Sequence, residues 1–187
     1  MKAYINHIAH EYLPNETILE MVRRVSGHDK VIPTLCQDNR LENFGSCRVC
    51  SVEVAREPEG IKRMVASCHT PVTENLYIFP NSEAVQKLRK NIIELVLTDY
   101  PKNKIWAENG KKPTQFQETL AVIGIPDIRY PEGLQHFDIE KDLSHPYIHA
   151  DLSQCINCFR CVRACEEIQG EMVLNMSGRG FATQIIK

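Results

Sequence analysis

The 187 residues carry 22 Lys and Arg against 24 Asp and Glu, a formal net charge of −2, with 43% hydrophobic and 25% charged residues. That balance excludes a disordered chain and offers no basic footprint for nucleic acid. No apolar run approaches the roughly 18 residues of a membrane helix, and residues 1–7 turn polar too soon for a signal peptide, so a cytoplasmic location is expected.

Partial alternation of apolar side chains over residues 2–9 predicts a strand, and Pro14-Asn15 marks a turn. Ile18, Met21, Val22 and Val25 recur at helical spacing over 17–25, with Gly27 as the stop. A loop over 33–50 follows, in which Gly45 supplies the conformational freedom of a tight turn. Residues 49–55 alternate as a strand, Glu57-Pro58-Glu59-Gly60 reads as a hairpin turn, and residues 63–67 pair back to deliver Cys68 beside the loop. Residues 75–79 form a last short strand. The order strand, helix, loop, hairpin and closing strand is that of a β-grasp ferredoxin domain over residues 1–80.

Ser82 is the N-cap of a helix reaching Thr98, with Val85, Leu88, Ile92, Leu95 and Val96 along one face. The stretch 99–151 is richer in Pro, Asn, Gly and Lys and predicts loops plus one helix over 115–123. A helix and linker therefore occupy 81–140. Residues 141–187 form a small second domain, with a helix over 162–169 and a hairpin pairing 172–174 with 181–183 about a turn at 177–180. The expected class is α+β.

Eight cysteines stand out. They fall into two sets, Cys36, Cys47, Cys50 and Cys68, then Cys155, Cys158, Cys161 and Cys165, with no cysteine over 69–154. Disulfides suit a short secreted chain, and two-residue spacings would crowd them. Zinc takes four ligands, usually as two pairs brought together. The second set is instead a single run, C-x2-C-x2-C-x3-C, which is the bacterial ferredoxin run except that Glu166 stands where a proline follows. It predicts a [4Fe–4S] cluster. In the first set three thiols in one loop and a fourth from a strand follow the logic of plant-type [2Fe–2S] sites, with a longer first gap. A zinc site with a long loop is the competing assignment there.

Thr34-Leu35-Cys36, Gly45-Ser46-Cys47-Arg48-Val49-Cys50-Ser51-Val52 and Ala66-Ser67-Cys68-His69-Thr70-Pro71 together resemble a known [2Fe–2S] domain. It is that of the large iron–sulfur subunit of complex I, the small diaphorase subunit of NAD-reducing hydrogenases, and NAD-dependent formate dehydrogenases. Cys155-Ile156-Asn157-Cys158-Phe159-Arg160-Cys161-Val162-Arg163-Ala164-Cys165-Glu166-Glu167 is similar to the N-terminal region of the formate dehydrogenase catalytic subunit. The resemblance spans nearly the whole chain. It also implies a [4Fe–4S] site held by one histidine and three cysteines after the long helix, but Tyr100 stands in place of the histidine. Lys104, Ala107 and Pro113 fall near the cysteine positions, so that cluster is expected to be absent. In complex I relatives a remote downstream cysteine completes the [4Fe–4S] site. Here Cys165 either closes its own cluster or faces one in a partner. His145 and His149 are the non-cysteine alternatives, although a surface or structural role suits each better.

Such clusters move single electrons, with potentials tuned by hydrogen bonds, burial and charge. Arg160 and Arg163 would favour the reduced state unless Glu166 and Glu167 neutralise them. The sequence has no dinucleotide fingerprint, since Gly178-Arg179-Gly180 is too short, and no P-loop or triad. His7, His10, His28 and His136 are scattered, and His69 is a neighbour of Cys68. The expectation is an electron-transfer subunit, without catalytic residues of its own. It would relay electrons between a flavin/NAD(H)-binding diaphorase subunit and a catalytic oxidoreductase subunit, of formate dehydrogenase or hydrogenase type, in a hetero-oligomer. The alternatives are a zinc-stabilised interaction module and an N-terminal fragment of a formate dehydrogenase catalytic chain.

Overall fold

The computed structural model describes residues 1–107, 110–133, 140–147 and 149–187. Five strands, β1 (Lys2–Ile5), β2 (Ile8–Glu11), β3 (Ser51–Ala55), β4 (Arg63–Ala66) and β5 (Tyr77–Phe79), form one mixed sheet in the order β2-β1-β5-β3-β4. β1 and β5 run parallel, and the other neighbours are antiparallel. Helix α1 (Ile18–Ser26) buries Ile18, Leu19, Met21 and Val22 against Ala3, Val52, Val54 and Ile78 of the sheet. Its ends are specified locally: Thr17 and Glu20 form a capping box, and Gly27 closes the helix at φ 75°. This is the β-grasp arrangement.

The single strand expected over 2–9 is in fact the hairpin β1–β2. Asn6 and His7 turn the chain at φ 46° and 69°, which matches the twist of a two-residue hairpin. The turn sets Ile5 opposite Ile8 and so shifts the alternation by one residue, a shift that strands of four residues are too short to show in sequence. His7 lies edge-on to Phe79, with ring centroids 5.2 Å apart.

Helix α2 (Glu83–Leu97) starts at the expected Ser82 cap, whose hydroxyl accepts from the Val85 amide. Its inward face is rotated from the predicted one. Val85, Arg89, Ile93, Glu94 and Leu97 are buried, whereas Leu95 is 46% exposed. Hydrophobic periodicity missed this because two charged residues are buried with partners supplied from elsewhere. Arg89 bonds backbone carbonyls, and Glu94 is clamped by Arg129, with Nη2 to Oε2 at 2.6 Å. The Arg129 guanidinium holds the Glu94 carboxyl below its usual range.

Helix α3 (Gln115–Ile123) has the predicted bounds and a capping box between Thr114 and Gln117. A second core joins Leu35 and Val49 of the first cysteine loop, Ile93 and Leu97 of α2, Tyr100, and Phe116 and Leu120 of α3; Cys47 and Ile156 pack at its edge. This core seats the two cysteine loops side by side. Tyr100, which occupies the position of the expected histidine, is 3% exposed; it packs on Phe116 at 4.8 Å and donates its hydroxyl to Gln154 Oε1 at 3.2 Å. Lys104, Ala107 and Pro113 lie at partly buried or exposed positions; Glu108 and Asn109, between Ala107 and Pro113, fall outside the described residues, as does His136.

The C-terminal part begins with α4 (Arg160–Arg163), continued by a π-turn over Ala164–Ile168. The terminal hairpin is β6 (Asn175–Ser177) with β7 (Gln184–Ile186), three residues downstream of the predicted pairing. Of the predicted second strand 181–183, Phe181 and Ala182 instead belong to a 3-10 turn over Gly180–Ala182. Gly178 there sits at φ 77°, and a Cβ on it would lie 2.1 Å from the Ala182 carbonyl oxygen. Among the described residues no helix is long and apolar enough to cross a membrane.

Candidate metal centres

None of the eight cysteines is in a disulfide. In the first set, Cys36, Cys50 and Cys68 are each 1% exposed and Cys47 is half-buried. The fold explains the convergence. β3 and β4 pair with Ser51 opposite Ala66, so Cys50 just before β3 and Cys68 just after β4 meet, their sulfurs 3.4 Å apart. Ser67 fixes that corner by donating its hydroxyl to the Cys50 carbonyl at 2.7 Å. Between Cys47 and Cys50 the chain reverses at Arg48, φ 59°, and Ser51 donates both its amide and its hydroxyl to the Arg48 carbonyl.

The donors around these sulfurs are those an anionic sulfur site needs. The Cys47 thiol, the Cys47 and Ser46 amides and the Ser46 hydroxyl hold Cys36 well below the usual thiol range, against the opposing effect of burial. Cys68 and the Ser67 hydroxyl do the same for Cys50. The partner thiols, Cys47 and Cys68, are pushed up by the neighbouring thiolate and by burial. Two cations stand behind the set. Arg23 reaches Asp29 at 4.0 Å. Arg89, 4% exposed, donates Nε to Val49 O at 3.1 Å, Nη2 to Ser51 O at 3.0 Å and Nη1 to Asn81 Oδ1 at 2.9 Å; no carboxylate among the described residues pairs with it. Neither role was legible in sequence, nor was that of His69. Its ring lies against Gly45, and a Cβ there would come within 2.8 Å of His69 Cδ2.

Gly45, at φ 70°, therefore carries two constraints, whereas Gly27, at φ 75°, has nothing within 4 Å of an added Cβ. Gly45→Ala is expected to cost more than the roughly 1–2 kcal/mol of a left-handed non-glycine residue, because the His69 ring must also shift. Thermal midpoint and visible charge-transfer absorption both fall in Gly45→Ala, and only the midpoint falls in Gly27→Ala. Equal loss of absorption in the two variants would contradict this.

In the second set Cys155, Cys158 and Cys165 are half-buried and Cys161 is exposed. The loop alternates: Asn157 and Phe159 adopt φ 51° and 59°, either side of Cys158. Left-handed backbone at an aromatic residue costs energy and points to a functional constraint. Here it curls the loop so that the Asn157 amide donates to Cys155 Sγ at 3.4 Å, while Asn157 Nδ2 donates to Thr183 O at 3.2 Å and ties the loop to the terminal hairpin. Burial pushes the Cys155 and Cys161 thiols up, and the charge of Cys158 adds to it. Cys165 lies on the π-turn beyond α4. His145 accepts the Tyr147 amide at Nδ1, 3.2 Å, and His149 is exposed.

The two alternatives for the arginines divide. Glu167 neutralises Arg163, with Nε to Oε1 at 2.9 Å, whereas Arg160 donates to the uncharged Gln115 Oε1 and keeps its positive charge. Among the described residues no group of three or more His, Cys, Asp or Glu side chains converges as a single ion requires. The soft thiol donors, inward amides and unpaired buried cation suit anionic sulfide clusters.

Residues 2–83 match the family described as 2Fe-2S iron-sulfur cluster binding domain, and residues 145–187 match the ferredoxin-like domain of NADH-quinone oxidoreductase subunit 3. The chain is 31% identical over 185 residues to the NADH-ubiquinone oxidoreductase 75 kDa subunit of Reclinomonas americana, covering 99% of this chain and 25% of that protein. It is 36% identical over 177 residues to the NADP-reducing hydrogenase subunit HndD of Solidesulfovibrio fructosivorans, covering 90% and 28%. It thus spans about a quarter of the length of these curated relatives. A chain of an NAD+-reducing [NiFe]-hydrogenase, crystallised in the H2-reduced state, shares the fold with a TM-score of 0.79 at 26% identity, over 98% of this chain and 73% of that one. The resemblance read from the cysteine motifs holds: a [2Fe–2S] domain precedes a [4Fe–4S] ferredoxin-like domain.

Proposed function

We propose that this chain, a [2Fe–2S] domain joined to a [4Fe–4S] ferredoxin-like domain, is an iron–sulfur electron-transfer subunit. It relays single electrons between a flavin/NAD(H)-binding diaphorase module and a catalytic oxidoreductase partner of formate dehydrogenase or hydrogenase type, as part of a cytoplasmic hetero-oligomer. The observation that carries this is the seating of both cysteine loops on one core, from Leu35, Val49 and Cys47 on one side to Ile156 on the other. The names of the relatives, an NADH-ubiquinone oxidoreductase subunit and an NADP-reducing hydrogenase subunit, support the choice of partners.

In this assignment Cys36, Cys47, Cys50 and Cys68 hold the [2Fe–2S] cluster. Cys155, Cys158 and Cys161 hold the [4Fe–4S] cluster, with Cys165 the fourth thiol available on the chain. The units are 1–80, 81–140 and 141–187. The clusters, when bound, supply one-electron capacity. The chain's own residues exclude water from Cys36, Cys50 and Cys68, aim amides at sulfur, and hold the two loops in register.

Anaerobic purification followed by iron and sulfide analysis and EPR tests the assignment. The expected protein is brown, with about six iron and six sulfide per chain and two distinct reduced signals. A colourless protein with about one zinc per cysteine set and no sulfide overturns it. Co-purification with a flavin-containing NAD(H) subunit is the expected outcome of an anaerobic affinity pull-down from the native cell.

A further inference from the structure

We propose that Arg163 and Glu167 are positioning residues that lock the loop of the first cysteine set against the helix of the second, and so set the rate at which electrons cross between the two sites. The inference rests on the relay function above. Arg163 follows Cys161 on α4 and is 5% exposed. Its guanidinium leaves its own loop: Nη1 donates to the Cys36 carbonyl at 3.4 Å, Nη2 donates to the Glu42 carbonyl, and the plane lies over the Phe44 ring, 4.9 Å from its centroid. Its Nε donates to Glu167 Oε1 at 2.9 Å, and Glu167 Oε2 accepts the Glu42 amide at 2.8 Å. Phe44 also meets Phe159 edge-on, with centroids 6.2 Å apart.

All of these contacts except the Arg163–Glu167 pair cross from residues 36–44 to residues 159–167, that is, from one cysteine loop to the other. The stretch 33–50 has no helix or strand of its own; Leu35, Cys47 and Val49 seat its ends on the shared core, and these tethers fix the span between them. A guanidinium is suited to this, because its planar fork can serve two carbonyls and stack on a ring at once, whereas an ammonium is a point charge. The pair is internally neutral, so it fixes geometry without adding net charge to either site. Electron tunnelling falls steeply with the gap between donor and acceptor, which makes such a tether a control on rate.

The test uses the anaerobically purified full chain, comparing Arg163→Met, Arg163→Lys and Phe44→Ala with the wild type. Readouts are iron and sulfide content, the EPR signal and potential of each cluster, the magnetic interaction between the two reduced clusters, and the intercluster transfer rate after flash reduction. Arg163→Met is expected to keep both clusters, lose the magnetic interaction, and slow transfer roughly tenfold or more, the scale on which small misplacement acts; combining it with Glu167→Gln removes both members of the neutral pair, and is expected to keep both potentials while transfer stays slow. Arg163→Lys falls between, and Phe44→Ala weakens the interaction from the opposite loop. Wild-type interaction and rate in variants that retain both clusters overturn the inference. If Arg163→Met fails to assemble a cluster, Phe44→Ala decides in the same terms. A wild-type protein lacking cluster signals overturns the relay itself, a result distinct from unaffected variants.

Discussion

Cys68→Ser is expected to abolish the [2Fe–2S] signal and leave the [4Fe–4S] signal in place, with iron falling from about six to about four per chain. The converse is expected for Cys158→Ser, with iron falling to about two. Selectivity follows from architecture. Cys68 is delivered by the β3–β4 pairing and buried to 1%, and its sulfur sits 3.4 Å from that of Cys50. Cys68 belongs to the sheet-and-α1 core, whereas Cys47 packs on the second core beside Ile156. Serine removes the soft donor but preserves volume, so the sheet stays packed and the second loop keeps its seat. A hydroxyl left in that buried corner also inherits the Cys50 contact, which makes Cys68→Ser a gentler structural change than alanine. Iron and sulfide analysis with EPR on each variant reads the result. Loss of both signals from either substitution would show that the two sites assemble as a single unit, even though the β3–β4 pairing delivers Cys68 separately from the second loop.

The ligand sets were legible because metal chemistry writes itself in spacing. Residue type and interval in the run from Cys155 to Cys165 already specify a loop that wraps a cluster, and Gly45 announces a turn. Helix ends were legible for the same local reason: Thr17, Ser82 and Thr114 cap the helices that sequence placed. The missed features are those whose cause lies far away in the chain. The inward turn of Arg89 and Glu94 depends on the carbonyls of β3 and on Arg129, so periodicity along α2 alone assigned Leu95 to the core. The contacts from Arg163 to Cys36 and Glu42 join residues more than a hundred positions apart. The hairpin turn at Asn6-His7 was hidden for a different reason. That pair lacks the glycine that usually marks a two-residue turn, and strands of four residues are too short to show the one-residue shift in phase.

Arg89→Met is expected to lower the reduction potential of the [2Fe–2S] couple while leaving that of the [4Fe–4S] couple unchanged. Taking an isolated cation out of water costs on the order of several kcal/mol, yet the acceptors of Arg89 are two carbonyls and one side-chain amide. Burial lowers its pKa to about 10, and the Cys50 charge opposes the fall, so it stays protonated at neutral pH. The missing counter-charge is what a thiolate-held cluster supplies, and the Val49 and Ser51 carbonyls that Arg89 grips flank Cys50. A fixed cation there stabilises the added electron. A unit charge about 10 Å away acts with roughly 1.7 kcal/mol at an effective dielectric of about 20, and the corresponding fall is about 70 mV at about 59 mV per decade for a one-electron couple. Arg89→Lys separates charge from geometry, because it keeps the cation and gives up the fork. Redox titration followed by EPR should place Arg89→Lys near the wild type and Arg89→Met well below it. Equal potentials in the two variants would assign Arg89 to backbone clamping alone. The second couple is the internal control: the bonds of Arg89 go to Val49 and Ser51 on either side of Cys50 and to Asn81 before α2, and none reaches the Cys155 loop.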